Sequence, residues 1–176
     1  GRLFTSYIYP ETIKKPVLWP IMSQDNNMLT RSYPLVNKKG DRTDHPHHVG
    51  VWLNYGDVNG LDFWNNSEAI LEDQSSHYVT IFHKAIVKAE SGEGKGVLQT
   101  TAEWKQPDGS TLLEEESIFE FSVLDNARII DRSTTLKAVV DEVKFTDNKE
   151  GMFGIRVARE IELPSDEQNC LIHTAM

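Results

Sequence analysis

The sequence predicts an all-β fold built as an antiparallel β-sandwich. Short runs rich in β-branched and aromatic residues recur along the chain, and each is closed by Pro, Gly, Asn or Asp. No 3.6-residue apolar period persists long enough to make a helix that could carry the core. Successive strands at this spacing favour a sandwich over an α/β arrangement.

The elements follow in order. Residues 4–9, rich in aromatic and β-branched side chains, read as a strand and stop at Pro10. Residues 16–22 read as an edge or irregular strand, because Pro16 and Pro20 cannot donate to a ladder. Residues 24–27 form a turn, and 29–33 a short strand before Pro34. A loop then feeds a strand at 50–55. Residues 77–89 read as one long or two bent strands, 91–96 as a hairpin loop and 97–105 as the returning strand. Gln106-Pro107-Asp108-Gly109-Ser110 is the strongest turn, since Pro presets φ and Asp-Gly accepts positive φ. It leads into a strand at 112–121. A turn at 125–127 precedes a strand at 128–138, with two more at 143–146 and 154–161. The one helical candidate, 68–73, is too short to alter the class. Glu114, Glu116, Glu120, Arg128, Asp131 and Arg132 put charge on both faces of neighbouring strands. Either one face is solvated or a concave sheet lines a cleft.

The 176 residues suit one domain, 1–176, and the 39% hydrophobic content suits one core. A net charge of -9 without a basic patch argues against nucleic acid. No run approaches the roughly 18 apolar residues of a membrane span. The single cysteine, Cys170, rules out an intrachain disulfide. The chain opens at Gly1-Arg2-Leu3-Phe4 without a signal peptide and closes in a short apolar stub at 169–176. The expectation is therefore a fragment of something longer.

The chemistry concentrates in Asp44-His45-Pro46-His47-His48, which packs three of six histidines into four positions beside a carboxylate. In an extended segment His45 and His47 would project to one face and His48 to the other. Such a pair, stiffened by Pro46 and flanked by Asp44, suits proton exchange with a sugar hydroxyl. It equally suits first-shell coordination of a divalent metal by His45, His47 and Asp44. The alternative is a set of turn imidazoles capping backbone groups. Asp57, Asn59 and Asp62, on a Gly-bounded loop, serve either a ligand or local turn hydrogen bonds. Trp64 is core or a stacking platform, as are Trp52, Tyr55 and Phe63. Arg156 sits in an otherwise apolar strand and must find a carboxylate or a ligand anion. Glu115, Arg132 and Glu160 are weaker candidates for the same cleft, and His77 and His83 read as surface or core.

Two blocks resemble a known family. Thr43-Asp44-His45-Pro46-His47-His48-Val49-Gly50-Val51-Trp52 and Tyr55-Gly56-Asp57-Val58-Asn59-Gly60-Leu61-Asp62-Phe63-Trp64 are similar to the signature of bacterial PmoA-like proteins, soluble proteins labelled "methane oxygenase PmoA". Phe4-Thr5-Ser6-Tyr7, Lys15-Pro16-Val17-Leu18-Trp19-Pro20 and the segment 150–158 extend the likeness over residues 1–160. The resemblance implies a soluble β-sandwich similar to galactose-mutarotase-like supersandwiches, in bacteria that degrade glycans. It also implies a carbohydrate or other small-molecule ligand and a periplasmic or cell-surface location, with the cytoplasm as the alternative. Two departures stand out. The family usually has Arg where this chain has Val49, and its members continue into further strands, so the sandwich is expected to be incomplete here.

The leading expectation is a carbohydrate-active protein of epimerase, mutarotase or glycan-cleaving type, needing no cofactor. His45 or His47 would exchange the proton, Asp44 would orient the imidazole and Arg156 would hold a substrate oxygen. His48, Asp57, Asn59, Asp62 and Trp64 would contact the sugar. The alternatives are a His/Asp metal-dependent enzyme, such as an oxygenase, and a noncatalytic glycan-binding domain.

Overall fold

The computed structural model describes residues 2–125 and 127–163. The apolar stub at 169–176 lies outside the described residues. Among the described residues, eight strands form two antiparallel four-stranded sheets that pack as a β-sandwich. The first sheet runs β1 (Tyr7–Ile8), β2 (Val17–Leu18), β3 (Val51–Tyr55), β8 (Gly151–Ile155). The second runs β4 (Ile81–Gly92), β5 (Lys95–Lys105), β6 (Thr111–Leu124), β7 (Ala127–Ala138) in simple sequence order. No described helix is long and apolar enough to cross a membrane.

The second sheet is close to expectation. The loop between β4 and β5 and the Pro-Asp-Gly turn close two hairpins, with Gly94 and Gly109 at positive φ as their turns require. Two register irregularities, at His83/Ala85 and Ile86/Lys88, bend β4. The first sheet is sparser than expected. Proline on both sides confines β2 to two residues, and Pro10 ends β1. Residues 29–33 and 143–146 contribute isolated bridges, Thr30 to Val157 and Phe145 to Val58, rather than strands. The helical candidate at 68–73 becomes a 3-10 segment displaced to Glu72–His77.

Alternation along β6 sorts the charges. Leu113, Glu115, Ser117 and Phe119 are buried, while Glu116 and Glu120 face solvent. The outward charges are thus a solvated face. Glu115 and Arg132 are a separate matter, paired inside the sandwich at 2.9 Å, with the Trp104 indole N–H also donating to Glu115. One flank is closed, because the Tyr7 hydroxyl meets His83 on β4 and Ile81 N donates to the Lys14 carbonyl. The flank between β7 and β8 is open. There Phe153 and Ile155 stay half exposed beside an apolar hollow of about 190 Å³ shared with Leu18, Phe119 and Ile130.

The site lies on the outer face of the first sheet. β3 turns Val51, Leu53 and Tyr55 towards the sandwich core, and Trp52 and Asn54 the other way. Around Trp52 the surrounding loops gather Ile13, Val17, Val49 and Trp64 into a second apolar cluster. The Trp52 indole lies flat against Gly154 across the ladder, where an added Cβ would meet three ring atoms at 2.4, 2.6 and 2.8 Å. Gly154→Ala should therefore lower stability by about 1–3 kcal/mol through overpacking. An unchanged denaturation midpoint would show that the indole has room to move.

Candidate functional site

Residues 44–48 do not run extended. His45 adopts φ 45°, and the His48 amide donates to the His45 carbonyl at 2.9 Å, closing a tight turn with Pro46 and His47 at its centre. The alternation of imidazoles between two faces is overturned by this turn, which gathers all three. His45 stacks on His48 with ring centroids 4.9 Å apart and planes within 9°, and His47 sits edge-on to both. The stack continues inward from His48 to Trp52 at 5.1 Å, and Trp64 closes against His48 and Trp52.

Two buried cations hold the loop. Arg31, only 2% exposed, donates through Nη1 to the carbonyls of Arg42 and Asp44 and to Asp44 Oδ1, and through Nη2 to the carbonyls of His45 and His48. Lys15, also 2% exposed, donates from Nζ to the His47 carbonyl at 2.7 Å and lies over the Trp52 ring. The planar guanidinium fork, with five N–H donors, serves more convergent oxygens than the three donors of an ammonium can. The sequence reading missed both residues. Arg31 carries no local signal, since its partners are mostly main-chain oxygens 11 to 17 residues away. Lys15 gives a hint: it stands at an inward position between the buried Ile13 and Val17.

Asp44 joins the hub to the outermost ring. Its Oδ1 accepts from Arg31 at 2.9 Å and Arg156 at 3.0 Å, and its Oδ2 accepts from His45 Nδ1 at 2.9 Å. A carboxylate only accepts, so Nδ1 of His45 carries a proton, and in the neutral ring Nε2 is the atom left as a base. Partial burial works against the Asp44 charge, but the hydrogen bond from His45 and the charges of Arg156, His45 and Arg31 outweigh it and hold its pKa below the usual range. Arg156 finds the carboxylates expected of it, Asp44 and Glu162.

The inner imidazoles are a different case. Burial, with the positive charges around them, pushes His47 down to about 3 and His48 down to about 4. Burial also brings Lys15 down to about 7, with Asp62 pulling the other way. Both inner imidazoles are neutral near pH 7, and His45, its side chain 53% exposed, is the ring that solvent reaches. His48 Nε2 and the indole N–H groups of Trp52 and Trp64 are buried without a hydrogen-bond partner among the described residues. Buried polar atoms are seldom left so, and three in one cluster mark a place not arranged for stability alone. No three His, Cys, Asp or Glu side chains among the described residues gather in a way that could hold a metal ion.

The remaining expected residues divide. Asp62 is buried, capping the Trp64 and Asn65 amides, and joins the cluster through Lys15 and Trp64. Trp64 is core to the cluster rather than an open platform. Asp57 accepts from the Gly60 amide, and Asn59, at φ 54°, ties the Glu142 carbonyl to the Lys144 amide. Both side chains are engaged in a turn. Glu115 and Arg132 pair inside the sandwich, and Glu160 pairs with Lys38. The imidazoles do not line the neighbouring hollow themselves; Pro46 does. That hollow, about 450 Å³, is also bounded by Thr12, Tyr33, Leu35, Ser67 and Glu68. Tyr33 and Glu68 are further residues the sequence reading did not single out.

The match to a family model runs over residues 1–175. The chain belongs to the family of unknown function DUF6807. No curated protein and no solved structure matches it.

Replacing Arg31 by Met strands four carbonyls and the Asp44 carboxylate. The expected loss is about 3–5 kcal/mol by chemical denaturation, and Arg31→Lys should recover only part of it. The inner imidazoles predict acid sensitivity. In the unfolded chain they take protons near pH 6.5, but in the folded chain only near 3 and 4. Below about 6.5 the unfolded state binds more protons, so stability is full above that pH and falls as pH drops towards 4. The loss is at most about 1.4 kcal/mol per pH unit for each imidazole. Urea midpoints at pH 7 and 5 measure it, and His48→Gln should reduce the difference by about half, leaving the His47 share.

Proposed function

We propose that the protein performs acid–base chemistry on a carbohydrate, with His45 as the proton acceptor. The observation that carries this reading is the Asp44–His45 pair: a carboxylate fixed by two guanidinium groups orients an exposed imidazole through Nδ1. Nε2 then takes a proton from a sugar hydroxyl, and the anchored carboxylate stabilises the imidazolium that forms. In a mutarotase-type step that proton comes from the anomeric hydroxyl, the ring C–O bond breaks, and the ring oxygen takes a proton from a second donor. Epimerisation and glycan cleavage need the same kind of base.

The hollow behind Pro46 supports the choice of substrate class. Its wall mixes an aromatic ring, aliphatic groups and a few polar side chains, the usual lining of a small-molecule site. The likeness of residues 43–64 to PmoA-like proteins points in the same direction, and with it to the periplasm or cell surface. Within the pair of histidines first considered, geometry favours His45, which is the more exposed and is paired with Asp44, whereas burial has pushed His47 down to about 3.

The test is sugar turnover. Anomerisation and cleavage of a panel of neutral mono- and oligosaccharides, followed by NMR, should reveal a substrate whose turnover falls about 10²–10⁴-fold in His45→Ala and in Asp44→Asn. Equal turnover in wild type and His45→Ala would refute the assignment. Binding without turnover across the panel would make the protein a glycan-binding domain instead.

A further inference from the structure

We infer that a second sugar subsite, formed by Tyr9, Phe82 and His83, lies across a ridge from the hollow beside His45, and that the ligand is an oligosaccharide rather than a single sugar. This rests on the carbohydrate reading and extends it.

The ridge is the segment 10–15. On one side Thr12 lines the hollow that Pro46 also lines. On the other, Glu11 and Lys14 line a second hollow of about 150 Å³, together with Tyr9, Thr80, Phe82 and His83. The 3-10 turn at Glu11–Ile13 builds the crest, and Lys14, at φ 67°, turns the chain sharply back into β2. The Lys14 carbonyl accepts from the Ile81 amide at 3.0 Å, which pins the ridge to the start of β4 beside Phe82 and His83.

The second hollow has the composition that a pyranose ring asks for. Such a ring offers a C–H face and a rim of hydroxyls. Tyr9 and Phe82 are 48% and 46% exposed, an unusual amount of aromatic surface to leave in water at the rim of one hollow. Tyr9 is held in place from behind, stacked on His83 with centroids 3.9 Å apart. The Tyr7 hydroxyl lies 3.2 Å from His83 Nδ1. With the hydroxyl as donor, His83 carries its own proton on Nε2. The Glu11 and Lys14 side chains have no hydrogen bond or ion pair with other described residues, so both are available to hydroxyls. The space accommodates one ring, not a chain, and the neighbouring hollow takes the rest of the ligand. Lys15, next to Lys14, connects the two places physically, since its Nζ holds the His47 carbonyl.

Calorimetric titration of the intact chain with glucose, cellotetraose, maltotetraose and xylotetraose, the monosaccharide xylose included, tests this. Wild type should bind at least one tetrasaccharide about tenfold or more tighter than its monosaccharide. Tyr9→Ala should erase that preference. Glu11→Ala, at an exposed position, should reduce it without disturbing the fold. Equal affinity for tetrasaccharide and monosaccharide in wild type, or a preference that survives both substitutions, would overturn the subsite while sugar binding itself stands. Binding of none of these sugars by wild type would overturn the carbohydrate reading, and the subsite with it.

Discussion

The Arg31 guanidinium is the constraint on which the site depends. A buried cation is destabilising unless its donors are satisfied and its charge is compensated. One loop answers the charge of Arg31 and both of its Nη nitrogens, leaving only Nε without a partner among the described residues: four carbonyls between Arg42 and His48 surround it, and the Asp44 carboxylate supplies the charge. The same contacts solve the loop's own problem. A tight turn with His45 at positive φ leaves carbonyls pointing inward, where no strand can pair them. The turn is therefore shaped by a side chain beneath it, and the imidazoles take their positions from that shape. Asp44 is fixed before it meets His45, which makes the pair a preorganised unit.

β3 couples this arrangement to the sandwich. Its five residues serve two environments by simple alternation, with Val51, Leu53 and Tyr55 packed towards the second sheet and Trp52 and Asn54 facing the site. Trp52 can lie flat because its ladder partner is Gly154, and His48 stacks on the indole that results. Gly50 plays a related part. At φ 58°, with the Leu18 carbonyl 2.2 Å from where a Cβ would stand, it lets the loop enter β3 directly over β2. Two glycines and one tryptophan thus transmit the register of the first sheet to the stack of rings.

Much of this was readable in the sequence where the signal was local. The Pro-Asp-Gly turn specified the β5–β6 hairpin, because turn chemistry acts over neighbouring residues, whereas only the sheet's two faces decide which β6 glutamates are buried. The His-rich block was likewise readable as a dense local cluster of imidazoles, and the turn gathers all three rings. What was hidden depends on distant or main-chain partners. Nothing near Arg31 shows that the carbonyls of a later loop will converge on it. The extended reading of 44–48 failed because side-chain period says nothing about a turn imposed from below. Asp57 and Asn59 were open between ligand and turn, and only their hydrogen bonds to Gly60, Glu142 and Lys144 decide for the turn. The two-residue β1 and β2 were overestimated because β-branched composition outlasts the pairing that proline permits.

The charges around the site bear on the kind of ligand it suits. Three cations, Lys15, Arg31 and Arg156, lie close together, which at first suggests an anion site. Each is already answered. Arg31 and Arg156 share Asp44, Arg156 also pairs with Glu162, and Asp62 offsets Lys15. Lys15 is further weakened as an anion ligand, since burial has brought its pKa down to about 7 and its Nζ is committed to the His47 carbonyl. The hollow beside Pro46 adds the exposed carboxylate of Glu68, and the ridge adds that of Glu11. A phosphate or carboxylate would meet these groups with no uncommitted guanidinium to receive it. A neutral ring with many hydroxyls meets no such penalty, because carboxylates and neutral imidazoles accept hydrogen bonds from it and aromatic faces cover its C–H surface. On the carbohydrate reading, the electrostatics around His45 and Pro46 therefore favour an uncharged sugar over a uronic acid or sugar phosphate there, while the Lys14 ammonium, unpaired among the described residues, lies only in the second hollow.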